Sequence, residues 1–337
     1  MIRAVPVLGT ARVVFFGTVC YNLEKSVKTV VSMKRSYIKY LLSLIIFGTN
    51  GILADMISLS SYEIVFLRTL IGTVFLLLLF FIGRRKFTFH RNSRDTLFVS
   101  LSGVAMGLSW ILLYEAYKRI GVSVATLLHY IGPILVITAA VLIFREKLTA
   151  AKLLGISAVM GGTVLLTLSG ETGIGGDPVG YIIGISAAFM YCAMVILNTR
   201  SRRVKGLEAT LIQLTSGLVT VFVFMLFLGG PSIAVKKTDI LPILLLGAVN
   251  TGLGCYMYFS SFGELPVQTV AVCGYLEPLA AVIFAGIFLS ETMSAGQIVG
   301  GVLIIGGAIF AELMSLRQKN KSKKAERSPC ADKTVIP

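Results

Sequence analysis

From residue 38 to residue 315 the chain is a succession of long apolar runs separated by short polar connections. Roughly 20 helical residues, rising 1.5 Å each, cross the hydrocarbon of a bilayer. The pattern therefore predicts membrane helices over 38–57, 62–83, 96–117, 122–144, 150–169, 179–198, 207–229, 239–261, 266–289 and 294–315. The runs are continuous, whereas a transmembrane barrel is built from shorter segments of alternating polarity.

The runs repeat. Tyr130 to Gly162 reads YIGPILVITAAVLIFREKLTAAKLLGISAVMGG, and Tyr275 to Gly307 reads YLEPLAAVIFAGIFLSETMSAGQIVGGVLIIGG. A shift of 145 residues superposes Val122 on Val267, Tyr130 on Tyr275, Pro133 on Pro278 and Glu146 on Glu291. The same shift brings Gly155, Gly161 and Gly162 onto Gly300, Gly306 and Gly307. Spaced landmarks at one offset are not a product of apolar composition, so the chain is read as a duplicated membrane bundle. The first repeat is expected over 36–169 and the second over 178–315, with a basic, unstructured tail over 316–337. Residues 1–35 hold a short apolar stretch interrupted by Arg12; they are read as an extension without an expected element, with Met33 as an alternative start.

Composition agrees with the membrane reading. The 337 residues are 55% hydrophobic and 14% charged, with a mean hydropathy of +0.86. A net charge of +15 would point a soluble protein toward nucleic acid. Here the basic residues sit in connections and at the ends, and no nucleic-acid partner is expected. Of the 31 Lys and Arg, 26 fall on alternate connections and the termini; the other five connections hold only Lys118, Arg119, Lys236 and Lys237. By the positive-inside rule both termini are expected in the cytoplasm. Five spans per repeat is an odd number, so the second repeat should be inverted relative to the first, the arrangement of alternating-access carriers.

Candidate chemistry lies inside the spans, where ionisable groups are costly and mark functional sites. Arg68, Glu115, His129 and Glu277 qualify. Glu277 precedes Pro278, which frees a backbone carbonyl nearby; its carboxylate could bind a cation, cycle a proton or pair with Arg68. His129 is the second proton-coupling candidate, with a packing role as the alternative. Glu115 beside Lys118 and Arg119 reads as a rim ion pair. In the third run Gly103, Gly107, Trp110, Tyr114 and Tyr117 recur on one helical face, fit for a ligand or for helix packing. Tyr117 reads as part of the interfacial belt. The amides Asn50, Asn250 and Gln268 can bind a ligand or join helices, and Tyr191, Tyr256 and Tyr258 are weaker candidates. Five cysteines without a CxxC spacing indicate neither zinc nor a disulfide framework. No phosphate-binding loop, HExxH or nucleophile elbow occurs, so no cofactor, metal or ATP-driven step is expected.

The stretch YLEPLAAVIFAGIFLSE from Tyr275, with Gln297 and the closing glycines, resembles the signature of EamA-type transporters of the drug/metabolite transporter superfamily. YIGPILVITAAVLIFREKLTAAKLLG resembles the other copy of that domain. The resemblance covers about 36 to 315 and implies an all-α integral membrane protein of ten transmembrane helices in two inverted five-helix repeats. It implies secondary transport without ATP, around a cavity reached by Asn50, Trp110, Tyr114, His129, Tyr130, Tyr191, Asn250, Tyr275 and Glu277. One departure matters: the first copy has Gly132 where the second has Glu277, which argues against a symmetric two-carboxylate mechanism.

The expectation is a plasma-membrane permease, not an enzyme, exporting a small organic metabolite such as an amino acid or related amphipathic compound. Efflux of cationic drugs, with Glu277 as counter-charge, is the second reading; a membrane-embedded enzyme or receptor is the reading from another class. Expected partners are the small-molecule cargo, the lipid bilayer and, through the glycine-rich outer spans, a second copy of the chain.

Overall fold

The computed structural model describes residues 33–88, 92–120, 122–144, 149–168, 177–201, 203–228, 230, 233–262, 264–288 and 294–327. The extension over 1–32, the turn carboxylates Glu146 and Glu291, and the tail beyond Arg327 lie outside the described residues.

The described residues are helical throughout, apart from turns and one isolated bridge between Phe262 and Leu265. Helix α1 runs over Met33–Ala54, interrupted at Thr49, followed by α2 (Ser61–Ile82) and α3 (Ser93–Ile120). Then come α4 (Val122–His129), α5 (Ile131–Phe144), α6 (Ala150–Leu168), α7 (Pro178–Arg200) and α8 (Gly206–Phe227). The last four are α9 (Lys237–Ser260), α10 (Val267–Gly274), α11 (Leu276–Phe288) and α12 (Ala295–Arg327).

Among the described residues seven helices are long and apolar enough to cross a membrane: α1, α2, α3, α7, α8, α9 and the α10–α11 pair. Shorter apolar helices lie at Ile131–Ile143, Leu153–Leu165 and Ala295–Ala311. Phe227, Ile82 and Leu142 are among many large apolar side chains left exposed. A water-soluble monomer does not carry so much contiguous exposed apolar surface. The protein is thus an all-helical, multi-pass membrane protein.

Local sequence sets the helix starts. Ser60 and Glu63 form a reciprocal capping box at α2, with the Ser60 amide donating to Glu63 at 2.9 Å. Asp177 caps α7 ahead of Pro178, accepting from the Val179 amide at 3.0 Å. The tail departs from expectation: α12 continues to Arg327 through a stretch read as unstructured. Its Lys, Glu, Arg and Gln residues are good helix formers, and extending an existing helix needs no new nucleus.

The helices meet through glycine, and the contacts obey the 145-residue offset. Against α9, a Cβ on Gly72 would lie 3.1 Å from the Gly252 nitrogen; against α8, a Cβ on Gly107 would lie 2.9 Å from the Gly217 oxygen. Adding 145 turns Gly72 into Gly217 and Gly107 into Gly252, so this is one contact made twice. Between α6 and α12 the pairing is crosswise: Gly155 approaches the Gly307 oxygen (2.8 Å) and Gly162 the Gly300 oxygen (2.6 Å). Gly300 and Gly307 are themselves the counterparts of Gly155 and Gly162. A later residue on one helix meets an earlier one on the other, so α6 and α12 run antiparallel. Reciprocal contact of this kind is the mark of a two-fold relation, and close backbone approach through small residues is how membrane helices associate.

Candidate functional site

Proline opens the middle of the bundle. Pro133 and Pro278 have no N–H for the carbonyl four residues earlier, that of His129 and of Gly274. Those residues end α4 and α10, and the chain breaks at Tyr130 and Tyr275 before α5 and α11 resume. The two breaks meet: the Tyr275 hydroxyl donates to the Tyr130 carbonyl at 2.8 Å, with the rings 6.1 Å apart.

Beside this junction lies a cavity of about 180 Å³. Among the described residues its charged groups are Arg68 from α2 and Glu277 from α11. Arg68 is 6% exposed, and its guanidinium lies 4.9 Å from the Trp110 ring. Its Nε donates to the Thr251 hydroxyl at 2.9 Å and a terminal nitrogen reaches the Asn50 oxygen at 3.4 Å. Thr251 is held for this task by a π-helical stretch of α9 (Leu245–Gly254), its hydroxyl donating five residues back to the Leu246 carbonyl at 2.8 Å. Among the described residues Glu277 forms no ion pair, so the two opposite charges share the cavity without neutralising each other directly. His129 sits edge-on to Tyr191 at 5.3 Å, and its buried Nδ1 has no hydrogen-bond partner.

Seven of the nine residues singled out from sequence line this cavity: Asn50, Trp110, Tyr114, His129, Tyr130, Tyr191 and Glu277. Asn250 and Tyr275 do not. Asn250 is 2% exposed and joins helices instead, donating to the Ile46 carbonyl, Thr49 and Asn50 at 3.0, 2.8 and 3.0 Å. Tyr275 is spent on the junction. Gln268 lies outside the cavity, fully buried with both amide atoms unpartnered. Glu115 is at the rim, paired with Arg119 at 2.9 Å and accepting from the Tyr62 hydroxyl. Lys39 lies over the Tyr256 ring, away from the cavity. Tyr117, read as a belt residue, does line it, as do Tyr258, Phe259 and Cys255. The signal for the last two was the offset itself, since Phe259 is the counterpart of Tyr114 and Cys255 of Trp110.

The cavity breaks the internal symmetry in its ionisable groups. Glu277 stands opposite Gly132, and His129 opposite Gly274. Arg68 stands opposite Gln213, whose amide points at the Met106 sulfur at 4.0 Å just as Arg68 reaches Thr251, the counterpart of Met106. The contact is the same in both halves; the charge is in one.

At the rim, Arg119 also reaches Asp177 at 2.6 Å. The Val179 amide and then Arg119 hold the Asp177 carboxyl below its ordinary pKa.

Similar proteins have related names. The chain is 24% identical over 274 residues to an uncharacterized transporter of Bacillus subtilis, covering 80% of this chain and 87% of that one. It is 23% identical over 207 residues to the aromatic amino acid exporter YddG of Ancylobacter novellus, covering 60% of this chain and 71% of that one. A crystal structure superposes with a TM-score of 0.71 at 19% identity, over 83% of this chain and 98% of that one, which establishes a shared fold. Residues 34–168 and 178–313 each match the EamA-like transporter family. With both halves matched, the chain belongs to the EamA-like transporter family, within the drug/metabolite transporter superfamily.

Proposed function

We propose that the protein is a secondary-active carrier that exports a small organic metabolite, an amino acid or related amphipathic compound, by alternating access. The observation that carries this reading is one cavity, enclosed by both repeats beside their two-fold junction, that holds Arg68, Glu277 and aromatic rings together. Arg68 is placed to hold a carboxylate, Glu277 a cationic group, and Trp110 and Tyr114 an apolar body. At about 180 Å³ the space is smaller than the ~300–1,000 Å³ of pockets for drug-sized ligands. That favours a metabolite over a drug. The unpaired carboxylate of Glu277 is what favours the second reading, efflux of a cationic compound.

In this reading α4–α5 and α10–α11 each cross the bilayer once, giving ten crossings as two inverted repeats. The antiparallel crossing of α6 and α12 supports the inversion, and the distribution of Lys and Arg supports cytoplasmic termini in the plasma membrane. Glu277 and His129 are the groups proposed to couple transport to protons.

Flux of a labelled metabolite panel through proteoliposomes, with and without a pH gradient, tests the reading. Saturable, gradient-stimulated movement of amino acids is expected, with Glu277→Gln abolishing the stimulation. No flux of any compound would overturn it.

A further inference from the structure

Leu113, Tyr114 and Tyr117, near the end of α3, have as counterparts Tyr258 and Phe259 at the end of α9 and Phe262 just beyond it. Tyr114 and Tyr117 meet edge to face at 5.3 Å; Phe259 and Phe262 meet edge to face at 5.5 Å. The two ring pairs have the same geometry, and the triplets lie at opposite ends of the bundle. Phe262 is at the end where α1 begins, with Ser261 donating to the Ser36 carbonyl at 3.0 Å. Tyr117 is at the end where α2 begins, two residues from Glu115, which accepts from the Tyr62 hydroxyl at the rim.

Their burial differs. Tyr258, Phe259 and Phe262 are 5%, 5% and 6% exposed. Tyr40 covers them, fully buried, its ring 5.2 Å from Tyr258 and 6.4 Å from Phe262, its hydroxyl on the Val270 carbonyl at 2.6 Å. Residues of both triplets line the cavity, and Leu113 is buried like its counterpart, but Tyr114 and Tyr117 are only half-buried where Phe259 and Phe262 are covered. The counterpart of Tyr40 is Ile185, which is 38% exposed. The same element is packed under a ring at one end and left less covered at the other.

We propose that the two triplets are alternate gates. The structure has the Tyr258–Phe259–Phe262 gate shut under Tyr40. In the opposite state Leu113, Tyr114 and Tyr117 close over the cavity and Ile185 settles on them, as Tyr40 now does at the other end. The physical reason is the duplication: two halves with the same packing can exchange their conformations at small energetic cost, and the exchange swaps which end is open. The exchange is not neutral, because Ile185 lacks the hydroxyl with which Tyr40 holds Val270. That bond biases the bundle toward the state seen here. The proposal gives the carrier reading its moving parts but is tested without any cargo.

Single cysteines at positions 114, 117, 259 and 262 are placed in the full chain, its native cysteines replaced. Their reaction with a hydrophilic maleimide is timed in vesicles permeabilised so that the reagent reaches both faces. Positions 114 and 117 are expected to react about tenfold or more faster than 259 and 262, as befits a minor state below roughly one tenth. Tyr40→Phe, which removes one oxygen, and separately Tyr258→Ala should speed 259 and 262 several-fold and slow 114 and 117 together. Equal reactivity at both ends in the unaltered chain, or all four rates rising together in Tyr40→Phe, would overturn the gates. Reciprocal labelling with no flux of any compound would keep the gates and sink the carrier reading; flux without reciprocity would do the reverse.

Discussion

Tyr275 hydrogen-bonds the backbone carbonyl of Tyr130, the residue that occupies its own position in the other repeat. Only near a two-fold axis can a residue touch its counterpart, so this bond marks where the halves turn about each other. Tyr275→Phe is expected to lower stability by about 0.6–1.7 kcal/mol, the range for hydrogen bonds between membrane helices. Thermal unfolding in detergent measures it, and an unchanged midpoint would show that the bond contributes nothing.

Arg68→Gln recreates in the first repeat what Gln213 is in the second. The contact to Thr251 can survive, but the charge cannot. Flux of carboxylated substrates is expected to fall about tenfold or more, tenfold corresponding to 1.4 kcal/mol of lost binding. Flux of compounds without a carboxylate should fall less. Arg68→Lys should not restore the first group, since a point charge does not replace the guanidinium fork lying over Trp110.

Gly132 and Gly274 offer a matched pair. A Cβ on Gly132 would sit 2.7 Å from Tyr191 Cδ1, whereas on Gly274 the nearest atom is the Tyr40 hydroxyl at 3.6 Å. Gly132→Ala must push the Tyr191 ring aside and disturb its 3.0 Å hydroxyl contact with Tyr258. It is expected to cost about 1–3 kcal/mol, as overpacking does, and to impair flux. Gly274→Ala should fold and transport nearly normally. Thermal unfolding and flux measured on both variants decide it.

Asp177 ties the start of α7 to the end of α3. Its pKa is depressed in the folded chain, so its contribution is fully present above the ordinary value of about 3.9 and fades as pH falls through the lower folded value. Asp177→Ala is therefore expected to lower the unfolding midpoint at pH 7 and to differ progressively less from the unaltered chain as pH drops toward 3. Asp177→Asn keeps a capping oxygen and loses only the charge, so its loss should be smaller. A deficit independent of pH would exclude the carboxylate as its cause.

The sequence carried the helices, the repeat and most of the cavity, because each rests on spacing along the chain. Apolar length marks the helices, and the Tyr–Pro pairs at 130/133 and 275/278 mark both breaks. What it did not carry is rotation about each helix axis. In water, the polar face of a helix says which way it turns. In lipid both faces are apolar, so Asn250 could not be told from Asn50 as glue against lining, nor Tyr117 from a belt residue. Tyr275 and Tyr130 read alike until the bond between them gave one to the junction and the other to the cavity. Arg68 invited pairing with a protein carboxylate; its partners proved to be neutral groups, Asn50, Trp110 and Thr251, on three other helices.

The single-copy placement of Arg68 and Glu277 has a consequence for whatever lies between them. A cavity with matching walls would accept a cargo in two orientations related by the two-fold turn. With a guanidinium whose counterpart is Gln213, and a carboxylate whose counterpart is Gly132, a cargo held between the two charges would be confined to one of those orientations. A molecule with unlike ends would then travel without tumbling, presenting the same end first throughout its passage.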